Sequence, residues 1–369
     1  MLSFYLTGYN ATHEGTTMKR TILASISIAL VCLTVSFAQA QSGDDSSAKL
    51  YPVVQDDLWG FIDNTGKLVV EPQFDYAWSS SDGMCGIESN FQYGFIDNTG
   101  KMVIEPQFGE FGFFYEGLCS VKVDDKWGFM DKTGKVIIPA SYYSVGEFSE
   151  GLASVSVNGG DNNKHGYIDK SGNTVIAPQF DTGIEFSEGL AAVCVGDYMS
   201  GKWGFINTLG EYAIEPIYNS VEYFLEGFAV VQVGNKYGYI DKTGKMVIEP
   251  QFLHAYEFSD GLAAISVGTS FTTGGVAPEL WGYIDKSGKT VIEPQFDFCD
   301  KFSEGLAVIK ISGKYGFIDK SGKIVIEPAY GEAFAFDCGI AAVYMEGNLF
   351  TGKLGYINKS GEYVWEPSW

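Results

Sequence analysis

The sequence predicts an all-β fold of nine tandem three-stranded meander repeats, and three observations carry that prediction. An aromatic-Gly step recurs at Trp59-Gly60, Tyr93-Gly94, Trp127-Gly128, Trp203-Gly204, Tyr237-Gly238, Trp281-Gly282 and Tyr315-Gly316, with His165-Gly166 and Leu354-Gly355 as variants. Proline returns once per unit, at positions 72, 106, 139, 178, 216, 250, 294, 328 and 367. Between these marks lie short runs of β-branched and aromatic residues, which suit a pleated and half-buried surface. One supersecondary unit has been copied along the chain.

The repeats are preceded by a targeting segment. Met18, Lys19 and Arg20 form a short basic region, Ile22 to Phe37 an apolar run, and Ala38-Gln39-Ala40 an A-x-A cleavage signal. The natural start is therefore expected at Met18 and cleavage after Ala40. The apolar run is shorter than the ~20 residues that span a bilayer, so no stable membrane span is expected after cleavage. Residues 41–49 read as a flexible linker and 50–369 as the repeats.

Within a unit, Leu262–Val267 reads as the first strand, residues 281–285 as the second and residues 289–293 as the third, which Pro294 is expected to end because it cannot donate a ladder hydrogen bond. The second and third strands are joined by Asp285-Lys-Ser-Gly288, where the Asp side chain can accept turn N–H groups and Gly supplies a positive φ. Asp63, Asp97, Asp131, Asp169, Asp241 and Asp319 repeat the turn, with Asn207 and Asn358 as substitutes. Turn chemistry accounts for this ladder of side chains without a ligand. Each connection then carries two aromatic plugs, such as Phe296 and Phe302, before a Glu-Gly pair turns the chain into the next unit.

Trp281 and Tyr283 point to one side of their strand and Ile284 to the other, so the sheet is expected to be buried on both faces between neighbouring units. The Gly between them leaves room for close approach of a ring or backbone. Propellers commonly have 4–8 four-stranded blades, whereas this chain has nine units of about three strands. The expected arrangement is thus an open β-superhelix or solenoid with atypical end units; a closed β-propeller-like ring is the alternative.

Composition limits function. Acidic residues number 46 against 24 basic, for a formal charge of −22, and Arg20 is the only arginine. Such a surface repels phosphate backbones and anionic lipids, which argues against nucleic acid as a partner. The five cysteines of the repeat region have no C-x-x-C spacing, so neither a zinc site nor a disulfide framework is indicated; Cys85 and Cys119, equivalent in neighbouring units, either pair or pack as small apolar residues. His165 and His254 lie in different units with no nucleophile elbow nearby, and no phosphate-binding loop or dinucleotide fingerprint occurs. The chain is accordingly expected to be no enzyme and to need no cofactor or metal.

The string Lys236-Tyr-Gly-Tyr-Ile-Asp-Lys-Thr-Gly-Lys-Met-Val-Ile-Glu-Pro-Gln-Phe252, followed by Phe258-Ser-Asp-Gly-Leu-Ala264, resembles the WG-repeat (KWG-repeat) family of bacterial proteins. The resemblance covers Leu50 to Trp369. It implies a β-repeat protein, often exported, that binds other molecules, and it supplies no catalytic motif. Departures fall at His165, at Leu354 and at Trp78-Ser-Ser-Ser-Asp82.

Function is expected where unit length varies. Spacings between successive unit glycines from Gly60 to Gly355 are 34, 34, 38, 38, 34, 44, 34 and 39, and every excess falls between the first and second strands. The insertions, residues 158–164, 196–202, 268–280 and 346–353, therefore emerge on one edge, where repeat proteins often build binding surfaces. Tyr198, Phe271, Glu279 and Phe350 are the candidate binding residues, for a protein or glycan partner at the cell envelope, in the periplasm or on the outer surface. A structural spacer without a specific ligand is the alternative function, and a carbohydrate-active enzyme the less favoured one.

Overall fold

The computed structural model describes residues 49–160, 163–197, 200–268, 279–348 and 351–368. The leader and linker up to residue 48, including the expected cleavage site, lie outside the described residues. Nine antiparallel sheets follow one another along the chain, eight of four strands and the first of three. In the seventh sheet the strands are His254–Ala255, Leu262–Val267, Leu280–Asp285 and Thr290–Phe296, hydrogen-bonded in chain order.

Eight of the nine sheets have one strand more than the sequence suggested, because the connection after each proline contains a short one. In the eighth sheet this strand is Phe298–Ser303. Its side chains alternate poorly in polarity, since one side packs into the core and the other faces like strands of the adjacent sheets. The first strands of successive sheets, with the residues that follow them, are neighbours: the Ser149 hydroxyl donates to the Phe186 carbonyl at 2.7 Å, Ser187 to Phe224 at 2.5 Å and Ser303 to Phe336 at 2.7 Å. The last strand is outermost and alternates between buried and exposed, as in Thr290–Phe296.

Proline does not end that outer strand. Thr290–Phe296 runs through Pro294, with register shifts between the Trp281↔Phe296 and Tyr283↔Ile292 pairs. An edge position needs no N–H from Pro294, and the bulge folds the Glu293-Pro294 backbone over Gly282. A Cβ on Gly282 would lie 2.5 Å from the Ile292 carbonyl oxygen and 2.7 Å from the Pro294 nitrogen. The close approach expected at the aromatic-Gly step is thus made by the backbone of the same sheet. The turn is as expected: Asp285 Oδ1 accepts the N–H of Ser287 at 2.9 Å and of Lys289 at 3.1 Å, with Gly288 at φ 83°.

Sheets stack face to face, and the second and third strands are buried on both sides. Tyr283 packs with Cys299, Phe302 and Ile318 of the following sheet, whereas Ile284 packs with Tyr239 and Phe252 of the preceding one and with Phe258 of its own. Nine sheets in an open stack would have eight interfaces. Among the described residues there are nine hydrophobic cores, and the ninth joins Tyr51, Val53 and Ile62 of the first sheet to Ile340, Tyr344, Leu354 and Tyr356 of the last.

The chain is therefore a closed ring, and the open superhelix is overturned. Polar contacts tie the closure: the Tyr356 hydroxyl donates to the Pro52 carbonyl at 2.9 Å, the Tyr51 hydroxyl to the Asp337 carbonyl at 3.0 Å, and Lys49 Nζ lies 3.0 Å from Asp337 Oδ1. Leu354 departs from the repeat because it fills this joint, 3 % exposed, rather than capping a free end.

The cysteines among the described residues are free. Cys85 and Cys119 belong to different cores, Cys85 with Phe61, Val70 and Ile96 and Cys119 with Phe95, Ile104 and Met130. Burial pushes the Cys85 thiol up to about 12 and raises Cys119 as well. No helix among the described residues is long and apolar enough to cross a membrane.

Candidate functional site

The ring has three distinct surfaces besides its rim: the axis, lined by the first strands, the face bearing the insertions, and the opposite face. Strand direction repeats in every sheet, so all loops between second and third strands project from the same face. Three of the four candidate residues, Tyr198, Phe271 and Phe350, lie outside the described residues. Glu279 is described, at the entry to Leu280–Asp285, with Oε1 2.7 Å from His254 Nδ1. Partial burial opposes ionisation of Glu279, but hydrogen bonds from the Ser266 hydroxyl and His254 outweigh it and hold the carboxyl below its usual range.

His254 connects Glu279 to an aromatic ribbon. Its ring lies parallel to Trp281, 6.0 Å between centroids at 9°, with Tyr237 at 6.1 Å on the other side. Trp281 also contacts Tyr256 at 5.2 Å and Phe298 at 5.8 Å, and Phe298 reaches Tyr315 at 6.3 Å. A second ribbon crosses the first three sheets: Trp59 to Tyr76 at 4.7 Å, Tyr76 to Trp78 at 4.7 Å, and Trp78 to Phe111 at 5.4 Å. Except for Trp281, which is buried, and His254, which is exposed, these rings are half-buried, so the aromatic member of the repeat step serves packing and leaves ring surface on the loop-bearing face.

The axis was not foreseen. One residue before the second Phe plug, in or just past the first strand, successive sheets carry Phe113, Glu147, Glu185, Tyr223, Glu257, Lys301 and Ala335, and Glu222 and Asp300 sit one position earlier. Carboxylates of four consecutive sheets converge: burial raises the Tyr223 hydroxyl, and the charges of Glu185, Glu222, Glu257 and Glu147 raise it further. Lys301 Nζ lies 3.6 Å from Glu257, whose side chain is 4 % exposed. Burial and the Glu257 charge push Glu222 up to about 7, against the pull of Lys301, and burial raises Asp300. The available signal was irregularity: this slot changes chemistry from unit to unit while its neighbours repeat. Among the described residues no three His, Cys, Asp or Glu side chains are arranged to hold a metal ion.

Nine small sheets closed about an acidic axis, with lengthened loops on one face, define a β-propeller repeat protein. The chain belongs to the WG containing repeat family, whose model matches residues 59–90, 93–127, 127–160, 166–198, 203–237, 237–268, 281–315 and 315–348. No curated protein matches it in sequence. A solved structure described as the eukaryotic initiation factor is similar in fold, with a TM-score of 0.61 at 11% identity over 87% of this chain and 96% of the other. Hsv2p of Kluyveromyces lactis aligns at a TM-score of 0.38 and 10% identity, over 75% of this chain and 94% of that one. At such identities the likeness concerns fold alone.

Proposed function

We propose that this protein is an exported, non-catalytic binding scaffold of the bacterial cell envelope that holds a protein or glycan partner on its loop-bearing face. The observation that carries the reading is that the strands flanking all four insertions end and begin on one face, which also bears ribbons of partly exposed aromatic rings. Such rings offer large, rigid contact area at small entropic cost. Glu279 contributes a fixed acceptor beside His254 and Trp281. The basic and apolar run at residues 18–37 with its Ala38-Gln39-Ala40 site supports export. The lack of a catalytic motif in the repeat and the use of the aspartate ladder in turns support a non-catalytic role.

Deleting residues 269–278, the centre of the longest insertion, is expected to leave the circular dichroism spectrum and thermal midpoint unchanged. Quantitative affinity capture from native envelope should then recover partners about tenfold less well or worse. An unchanged partner set from the folded deletion protein would discard this reading.

A further inference from the structure

We infer that the joint between the fourth and fifth sheets is a pH-sensitive seam of the ring, tight in mild acid and loosened in mild alkali by repulsion between the Glu147 and Glu185 carboxylates. Two independent features meet at this joint. The first is a gap in a series of ties on the face opposite the insertions. There an acidic residue of one sheet accepts a glycine N–H from the next sheet and also meets a lysine of that sheet. Glu188 does so with Gly227 at 3.1 Å and Lys242 at 3.0 Å, and Glu304 with Gly339 at 3.1 Å and Lys359 at 2.9 Å. Glu150 accepts the Gly189 N–H at 2.9 Å, but the lysine position of its turn partner is Thr208.

The second feature is the acidic pair itself. The Glu147 N–H donates to Glu185 Oε1 at 3.4 Å, and a Cβ on the adjacent Gly146 would stand 2.6 Å from that oxygen. Tyr115 of the third sheet also faces Glu147: burial, and next the Glu147 charge, raise its hydroxyl. Tyr167, Tyr223 and the Cys119 thiol are raised chiefly by burial and further by one or both carboxylates. The groups facing the pair are therefore hydroxyls, a thiol and backbone amides; the axial lysine, Lys301, acts instead on Glu222, Glu257 and Asp300. Burial, and next the Glu185 charge, push Glu147 up to about 8, and burial raises Glu185.

The sign follows from linkage. A carboxyl raised above its unfolded value of about 4.3 holds its proton in the closed joint, so its stabilising contribution is complete below that value and is lost as pH rises through about 8. The Ser149 hydroxyl to the Phe186 carbonyl, 2.7 Å, and the Tyr167 hydroxyl to the Ile184 carbonyl, 2.8 Å, persist at either pH and keep the opening local.

Amide hydrogen exchange of the full chain, corrected for intrinsic rates, at pH 6 and pH 8.5 tests this. Protection in Ser144–Val145 and Thr182–Ser187 is expected to fall about tenfold or more, the equivalent of one pKa unit, while Phe298–Ser303 at the lysine-tied eighth sheet holds. Glu185→Gln should remove the pH dependence, and Thr208→Lys should reduce it by restoring the missing tie; Glu147→Gln substitutes for Glu185→Gln if that variant fails to fold. Equal pH response at both joints, or an unaltered response in the Gln variant, would overturn the proposal.

Discussion

Gly282→Ala is expected to destabilise the protein by on the order of 3 kcal/mol, at the upper end of what overpacking costs. The new methyl would lie 2.5 Å from the Ile292 carbonyl oxygen, 2.7 Å from the Pro294 nitrogen and 2.9 Å from the Glu293 carbonyl carbon. All three obstacles are backbone, so no rotamer change relieves them. Either the outer strand moves away from Leu280–Asp285 or the bulge at Glu293-Pro294 is lost, and each disturbs the pairing of Trp281 with Phe296. Thermal unfolding followed by circular dichroism measures the loss. Gly109→Ala is the control: nothing lies within 4 Å of its Cβ position and its φ is not positive, so its midpoint should match the parent. If Gly282→Ala unfolds at the parental temperature, the crossing of outer strand over the aromatic-Gly step is misassigned.

The features that proved legible are those imposed by short-range chemistry within one unit. Asp285, Ser287 and Gly288 encode a turn locally, and Tyr283 and Ile284 announce a strand buried on both faces. Two features escaped for physical reasons. Strands such as His254–Ala255 are only two residues long, and their place is set by contacts with the preceding sheet, so the residues around Glu257 read as a connection. Closure depends on a rotation accumulated over nine interfaces, which no single unit records. Leu354 was its trace, a buried apolar residue where the aromatic belongs. The acidic axis was hidden for the same reason, because Glu147, Glu185, Glu222 and Glu257 are distant in sequence and meet only when the ring curves. Of the four candidate binding residues, Glu279 gains a place beside His254 and Trp281 that its loop position alone did not imply.

Removing the ninth sheet, residues 332–368, is expected to abolish folding, an effect far larger than loss of one terminal unit from a stack. In a ring every sheet has two neighbours, so this deletion uncovers two faces at once. Tyr51, Val53 and Ile62 lose Ile340, Tyr344 and Tyr356, and on the other side Val308, Phe317 and Tyr330 lose Phe336, Ala341 and Val343. Burying a large apolar side chain is worth roughly 1.5–3 kcal/mol, so six such residues represent on the order of 10 kcal/mol. That rivals the whole net stability of a typical domain, about 5–15 kcal/mol. By contrast, Tyr356→Phe removes the 2.9 Å bond to the Pro52 carbonyl while keeping the ring packed, and should cost about 1 kcal/mol. Circular dichroism and gel filtration distinguish the outcomes. A monomeric truncated chain with cooperative unfolding would mean that eight sheets sustain themselves without the closing interface, and the ring would then not be what stabilises this fold.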